Sequence, residues 1–256
     1  MSFLNNKKIL FIVEGEKTEP SLMRRLNKII GFTNYEIFSY NTSIYELYEE
    51  LTEDDNLDLV LTLKESAKTR AEIGVLSQKY VSIYLIFDFD PHYQKYSKEN
   101  LKEMLTYFNS SYDRGKLYIN YPMMESFRDL RSMPDHAFLL RQMKVSDLTK
   151  YKEQVGKLSD YTEMNKYDFK IVMEMITHHL RKYHLLVKRK ISIPSENDFL
   201  NYNYLSDIKL LEIQSNNVQN GCVSVINTSV FYLIDLKPKT FFNCQFSKFV
   251  LKTSAK

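Results

Sequence analysis

Three carboxylates in this chain stand at positions where divalent-metal chemistry becomes feasible. Glu14 closes the apolar run KKILFIV (7–13), and Asp88 and Asp90 close the run VSIYLIF (81–87). If both runs are strands of one parallel sheet, their carboxyl ends share an edge, and acids far apart in sequence converge on one spot. Such a cluster is repulsive unless a cation neutralises it. Mg²⁺ or Mn²⁺ is the natural choice, because hard oxygen ligands suit it and its remaining positions take water and phosphate oxygens. In an extended Asp88-Phe89-Asp90 both aspartates face one side while Phe89 turns to the core. Gly15 would allow close approach of the backbone to a phosphate, or a backbone conformation that other residues cannot take. Lys17 would add a positive charge beside it.

The elements that must position these residues are legible as alternating patterns. The run at 7–13 reads as a buried strand entering a loop at Glu14-Gly15. Thr18 is the expected N-cap of a helix to Ile30, with Pro20 in its first turn and Gly31 closing it. A strand at 35–40, an acidic amphipathic helix over 43–54 and mostly helical segments over 57–79 follow. Next come the strand at 81–87, stopped by Pro91, a helix over 97–109 capped by Ser97, and a strand at 116–121 leading to Pro122 and a helix containing Glu125. Strands alternating with helices predict an α/β fold with a mostly parallel sheet covered on both faces. Beyond about residue 145 the segments 145–158, 165–187, 203–216 and 221–236 read as helical. The expected organisation is a catalytic domain over 1–145 and a mainly helical domain over 146–256 for substrate or partner contact.

Composition narrows the class. Of the 256 residues 44% are hydrophobic and 26% charged, a globular balance. Gly and Pro number 6 each, too few for a loop-rich all-β architecture. Two cysteines, Cys222 and Cys244, have no metal-ligand pairing and make no disulfide scaffold. The apolar stretch Ile9 to Val13 is far short of a signal core or a ~20-residue membrane span. A cytoplasmic protein without membrane contact is therefore expected. A net charge of +3 permits contact with phosphates without requiring it.

The pairing of V-E-G-E-K-T-E-P (Val13 to Pro20) with I-F-D-F-D-P-H (Ile86 to His92) resembles the TOPRIM domain of topoisomerases, bacterial primases, RNA-maturation nucleases and OLD-type nucleases. The extended first motif is most similar to the RloB-like and OLD-like branch, which includes effectors of ATPase-linked anti-phage systems such as PARIS and abortive-infection loci. The similarity spans roughly residues 7–130. It implies a Rossmann-like TOPRIM fold in which Glu14 is a general acid/base or metal ligand and Asp88 and Asp90 hold the metal. Glu19 matches a further acid of that branch. Asn120 to Glu125 loosely matches an Asn-Pro-x-x-Glu-like segment, with Tyr121 intervening, which would bring Glu125 to a second metal site. No zinc ribbon, helicase block or topoisomerase tyrosine context accompanies the motifs, so primase and topoisomerase readings fall.

The resemblance implies a Mg²⁺/Mn²⁺-dependent endonuclease acting on RNA, tRNA included, or DNA, as a toxic effector of antiviral defence. The metal would polarise the scissile phosphate, stabilise the departing oxygen and help generate hydroxide. The chain has no G-x-x-x-x-G-K-[ST] loop. A partner ATPase is therefore expected to supply any ATP-driven control, and a second copy of the chain stays open as a partner.

Each feature also has a plainer meaning. A lone Glu-Gly is usually a turn, and an Asp-x-Asp a strand end or cap; their joint occurrence favours a site. Helix-dipole and metal roles stand level for Glu19, and a first-turn helix acid is the stronger reading of Glu125. His92 defaults to a surface loop. The segment His178-His179-Leu180-Arg181-Lys182-Tyr183-His184 through Lys188-Arg189-Lys190 is either a nucleic-acid groove, bound through Arg181, Lys182, Lys188, Arg189 and Lys190, or the solvated side of a helix. The aromatics of 227–246 read as core or partner-facing surface. The rival function is a non-catalytic module of an ATPase complex, its acids holding a structural metal or docking a basic partner.

Overall fold

The computed structural model describes residues 8–53, 58–200 and 207–243. The expected positions 7, 54, 57, 203–206 and 244–246, Cys244 among them, lie outside the described residues. The chain forms two compact units, Met1–Met124 and Glu125–Lys256, dividing earlier than the 145/146 boundary expected.

The first unit follows the alternation read from the sequence. Its elements are β1 (Ile9–Val13), α1 (Thr18–Ile29), β2 (Tyr35–Ser39), α2 (Ile44–Glu53), α3 (Leu59–Ser66), α4 (Arg70–Leu76), β3 (Ser82–Asp88), α5 (Lys98–Tyr107), β4 (Asn109–Ser110) and β5 (Gly115–Asn120). The sheet order is β2-β1-β3-β5-β4. β1 pairs in parallel with both β2 and β3, and β3 with β5, while β4 is a short antiparallel edge. All five residues of β1 are buried, as a strand covered on both faces requires.

The chain runs from β1 to β2 in one direction and from β2 past β1 to β3 and β5 in the other, and α2 packs on α3 and α5. With the right-handed crossovers that parallel sheets follow as a rule, α1 covers one face and α2 to α5 the other. The connections therefore diverge between β1 and β3, the switch point at which open α/β sheets leave a crevice.

Local chemistry sets the helix ends. Asp58 caps α3 by accepting from Val60 and Leu61 N–H. Thr69 and Glu72 form a reciprocal capping box on α4, and Ser97 caps α5 as expected. At α1 the cap position falls on Lys17 rather than Thr18, with no side-chain bond, and Gly31 takes φ +67° just past the end.

The second unit holds β6 (Gln142–Lys144), α6 (Tyr151–Leu158), α7 (Phe169–Lys188), α8 (Glu196–Leu200), α9 (Asp207–Gln219), β7 (Cys222–Ser224), α10 (Tyr232–Leu236), α11 (Pro238–Asn243) and 3-10 turns, one of them at Met124–Arg128. The helical expectation over 221–236 is corrected: only Tyr232–Leu236 is α-helix, entered through a 3-10 turn at Ser229–Phe231. Residues 222–224 form β7, antiparallel to β6, because the side-chain amide of Gln214 bonds the N–H and carbonyl of Ser224 and holds that backbone extended beside α9. The aromatics Phe231 and Tyr232 are core. Among the described residues no helix is long and apolar enough to cross a membrane.

Candidate metal centre

The site is built at the β1/β3 switch point. Val13 lies opposite Ile86 in the ladder, and Glu14 N–H extends it by donating to Ile86 O at 3.2 Å. That register carries Glu14 to the end of β3, where its Oε2 accepts from Asp88 N–H at 3.0 Å across 74 positions of sequence. The expected convergence of the two strand ends is present in this direct bond.

Beyond β1 the chain turns into α1, which brings Glu19 back over Gly15. A β-carbon at Gly15 would stand 2.7 Å from Glu19 Oε2 and 3.1 Å from Oε1. The space a side chain would take here is filled by the end of the Glu19 side chain, and the Gly15 backbone is not left-handed. The group that lies nearest Gly15 is Glu19. Glu19 is only 8% exposed.

β3 ends at Asp88, and burial alternates as expected: Asp88 half-buried, Phe89 buried, Asp90 exposed. Asp90 has left the strand. Its carbonyl accepts from Tyr93 N–H at 3.2 Å and its Oδ1 from His92 N–H at 3.0 Å, a turn that Pro91 initiates. Glu14 senses this neighbourhood directly. Burial pushes its carboxyl up to about 7, and the charges of Glu19 and Asp90 push the same way, against the lowering influence of the Asp88 N–H. The structure therefore brings Glu14, Glu19 and Asp90 into electrostatic contact and ties in Asp88 through its backbone. Lys17 is exposed at the head of α1.

Hard oxygen donors fit a hard divalent cation. Among the described residues no group of three or more His, Cys, Asp or Glu is gathered as a ready metal shell. Mg²⁺ does not need one, since it is commonly bound through one or two carboxylates, keeping waters and substrate phosphates in its other positions. Glu14 and Asp90 would hold it, with Glu19 and Asp88 beside them.

Glu125 belongs to the second unit. It is buried, and Lys152 Nζ lies 2.9 Å from its Oε1, out of line for a hydrogen bond.

The basic segment is largely turned inward, which corrects part of the expected nucleic-acid surface. Lys182 is 1% exposed, and its ammonium donates to Phe138 O at 3.0 Å and to Arg141 O, so it offers nothing to a phosphate. Desolvation pulls it down to about 7. Around it, Arg141 pairs with Asp135 at 2.9 Å and lies 3.5 Å from Asp129, which accepts from Tyr151 O–H at 3.0 Å. His178 and His179 are also interior. His178 Nε2 accepts from Asp135 N–H and its Nδ1–H donates to Glu174 O. His179 Nδ1 accepts from Asn227 N–H and its Nε2–H donates to Phe127 O, and burial drives it down to about 3. Arg181 is half-buried, and Lys188, Arg189 and Lys190 are exposed at the end of α7. The remaining basic surface is therefore that helix end.

One neighbour of the acids had no signal in the sequence. Tyr45, near the start of α2, is buried beside Glu14 and Asp90, and both charges raise its phenol far above the usual range after burial has done so first. An apolar tyrosine at helical spacing reads as core, and only the sheet topology brings it to the carboxylates. Comparison with family models, curated proteins and solved structures finds no match to this chain.

Proposed function

We propose that the chain is a TOPRIM-type, divalent-metal-dependent nuclease that hydrolyses phosphodiester bonds in RNA or DNA. The observation that carries this reading is the half-buried Glu14 carboxyl at the β1/β3 switch point, bonded to Asp88 N–H and raised to about 7 by desolvation, Glu19 and Asp90. A carboxyl that titrates near neutrality beside further acids is what a cation-dependent site uses.

When bound, a Mg²⁺ or Mn²⁺ ion supplies Lewis acidity toward the phosphate and offsets charge on the departing oxygen. The chain's own groups do the rest. Glu14, ionised beside the ion, would accept a proton from the attacking water as the phosphorus–oxygen bond to the leaving nucleoside breaks. Asp88 N–H fixes the orientation of Glu14. Asp90, on its turn, presents an exposed carboxylate to the crevice. Lys17, exposed at the head of α1, would meet the flanking phosphate. The resemblance to defence effectors extends the proposal to a toxic activity controlled by a partner ATPase.

The test is incubation of the purified protein with RNA and DNA pools in Mg²⁺, Mn²⁺ or EDTA. Cleavage should require the metal and fall by about a hundred-fold or more in Glu14→Ala and Asp90→Ala. Substrate left intact under all conditions, with a candidate ATPase present as well, would instead support a non-catalytic module. One observation favours that second reading: among the described residues the acids are neighbours without being gathered as a metal shell.

A further inference from the structure

With Asp90 the chain leaves the sheet. β3 ends at Asp88, opposite Asn120, and Phe89 N–H still bonds Asn120 O at 2.9 Å. From there two successive turns lead to Ser97, the cap of α5: Asp90 O accepts from Tyr93 N–H at 3.2 Å, and Tyr93 O from Tyr96 N–H at 2.9 Å. Asp90 stands two residues beyond the amide that binds Glu14, and an exposed carboxylate so close to other acids is driven outward until a cation arrives. A strand that has already ended cannot hold it back. The restraint has to come from another element.

That element is α2. Tyr93 stacks on Tyr45 of α2 with ring centroids 5.4 Å apart, and Tyr96 meets Tyr45 edge-on at 5.9 Å. The Tyr93 hydroxyl donates to Glu46 Oε1, and Lys95 Nζ lies 2.8 Å from Glu46 Oε2 and 2.5 Å from Glu49 Oε2. Glu46 and Glu49 are three positions apart and so share one side of the helix, with Lys95 reaching both. Exposed ion pairs contribute little by themselves, and Lys95 is an exposed partner. A hydrogen bond to an ionised acceptor is stronger and directional, and the one from Tyr93 rests on packed rings. Glu46 is the residue in which the bond and the ion pair meet, one oxygen for each.

We propose that Glu46 is a positioning residue, which pins the 90–96 connection to α2 and so sets where Asp90 offers its carboxylate to a divalent cation beside Glu14. This rests on the metal-site reading of Glu14 and Asp90. Glu46 itself touches neither the cation nor the substrate.

The test uses the full-length protein and Mn²⁺ as the probe, its uptake read by electron paramagnetic resonance. Tyr93→Phe keeps the ring stack and removes only the hydroxyl, and it should weaken Mn²⁺ binding roughly tenfold, as should Glu46→Ala. The double variant should lose no more than Glu46→Ala alone, because one bond is being removed twice. Glu46→Gln retains an acceptor for Tyr93 and should stay within about threefold of the parent. In the metal-free protein the His92 and Tyr93 amides, which bond to Asp90, should exchange with solvent at least tenfold faster in Glu46→Ala and Tyr93→Phe, with the β1 and β3 amides unchanged. Tyr48→Phe is the control: it deletes the 2.7 Å bond from α2 to Glu103 of α5, away from the turns, and should bind Mn²⁺ as the parent does whatever its melting temperature. Parent-like Mn²⁺ affinity or amide exchange in Tyr93→Phe overturns the proposal. So does an equal loss in Glu46→Gln and Glu46→Ala, an equal loss in Tyr48→Phe, or a parent that takes up no Mn²⁺. If the variants weaken Mn²⁺ as expected and no nucleic acid is cut, the positioning role stands and the nuclease reading fails. If metal-dependent cleavage and Mn²⁺ uptake are equal in all of them, the nuclease reading stands and Glu46 has no part in it.

Discussion

Glu14 is the residue at which acidity, burial and backbone geometry meet, and its protonation links stability to binding. Its carboxyl moves from an ordinary 4.5 to about 7 on folding, burial being the largest cause. Between those values the folded chain holds a proton that the unfolded chain has lost. Stability of the metal-free protein is therefore greatest below about 4.5 on this account and declines as pH rises through 7, by a total on the order of 3 kcal/mol. Melting curves in EDTA should show that decline, and Glu14→Gln should flatten it and melt higher at pH 8. Divalent-ion affinity should run the other way, climbing as pH passes 7 because the ligand must shed its proton. A Glu14→Gln protein that retains the full slope would assign the titration elsewhere. Gly15 offers a second test at this scale. Gly15→Ala sets a methyl against Glu19 Oε2, 2.7 Å away, the far end of a flexible side chain that can swing aside, so the cost in denaturant unfolding should be small, about 1 kcal/mol or less. Glu19→Ala in the same chain should return most of that loss, because the clash has one source.

At the scale of elements, what the sequence revealed depended on how far each element's stabilising contacts reach. β1, β2, β3 and β5 were readable because apolar runs announce buried strands, and Ser97 announced α5 through a cap three residues long. Glu14, Asp88 and Asp90 were readable because strand ends are readable. β4 spans two polar residues, and β7 is set by a glutamine on α9, so neither had a local signal. Tyr45 was hidden for the same reason: its relation to Asp90 runs through the sheet, and α2 alone says only that the residue faces inward. α7 is the instructive error. Its row of His, Arg and Lys suggested a solvated or phosphate-binding face, yet Lys182, His178 and His179 serve as internal donors and acceptors for the 127–141 segment. Lys182→Met should leave nucleic-acid affinity unchanged and lower stability on the order of 1–3 kcal/mol, by orphaning two carbonyls. Filter binding and thermal melting check the two halves. A loss of affinity at unchanged stability would return Lys182 to the binding surface.

For the molecule as a whole, a net charge of +3 is too small to hold a polyanion by itself, so cations must be concentrated locally if nucleic acid is engaged. The exposed end of α7 is one such place. Replacing Lys188, Arg189 and Lys190 together by Gln should lower the dependence of log affinity on log salt by about 0.7–0.9 for each phosphate that is no longer neutralised. An unchanged slope would mean the run is merely solvated. The order of the strands carries a different implication. Glu14 and Asp88 meet only when β1 has found β3 across more than seventy intervening positions, a long loop closure of the kind that slows folding. While a ribosome is still extending the polypeptide short of β3, there is no crevice to assemble. Under the nuclease reading proposed above, a nascent or half-folded copy therefore has no assembled crevice with which to cut.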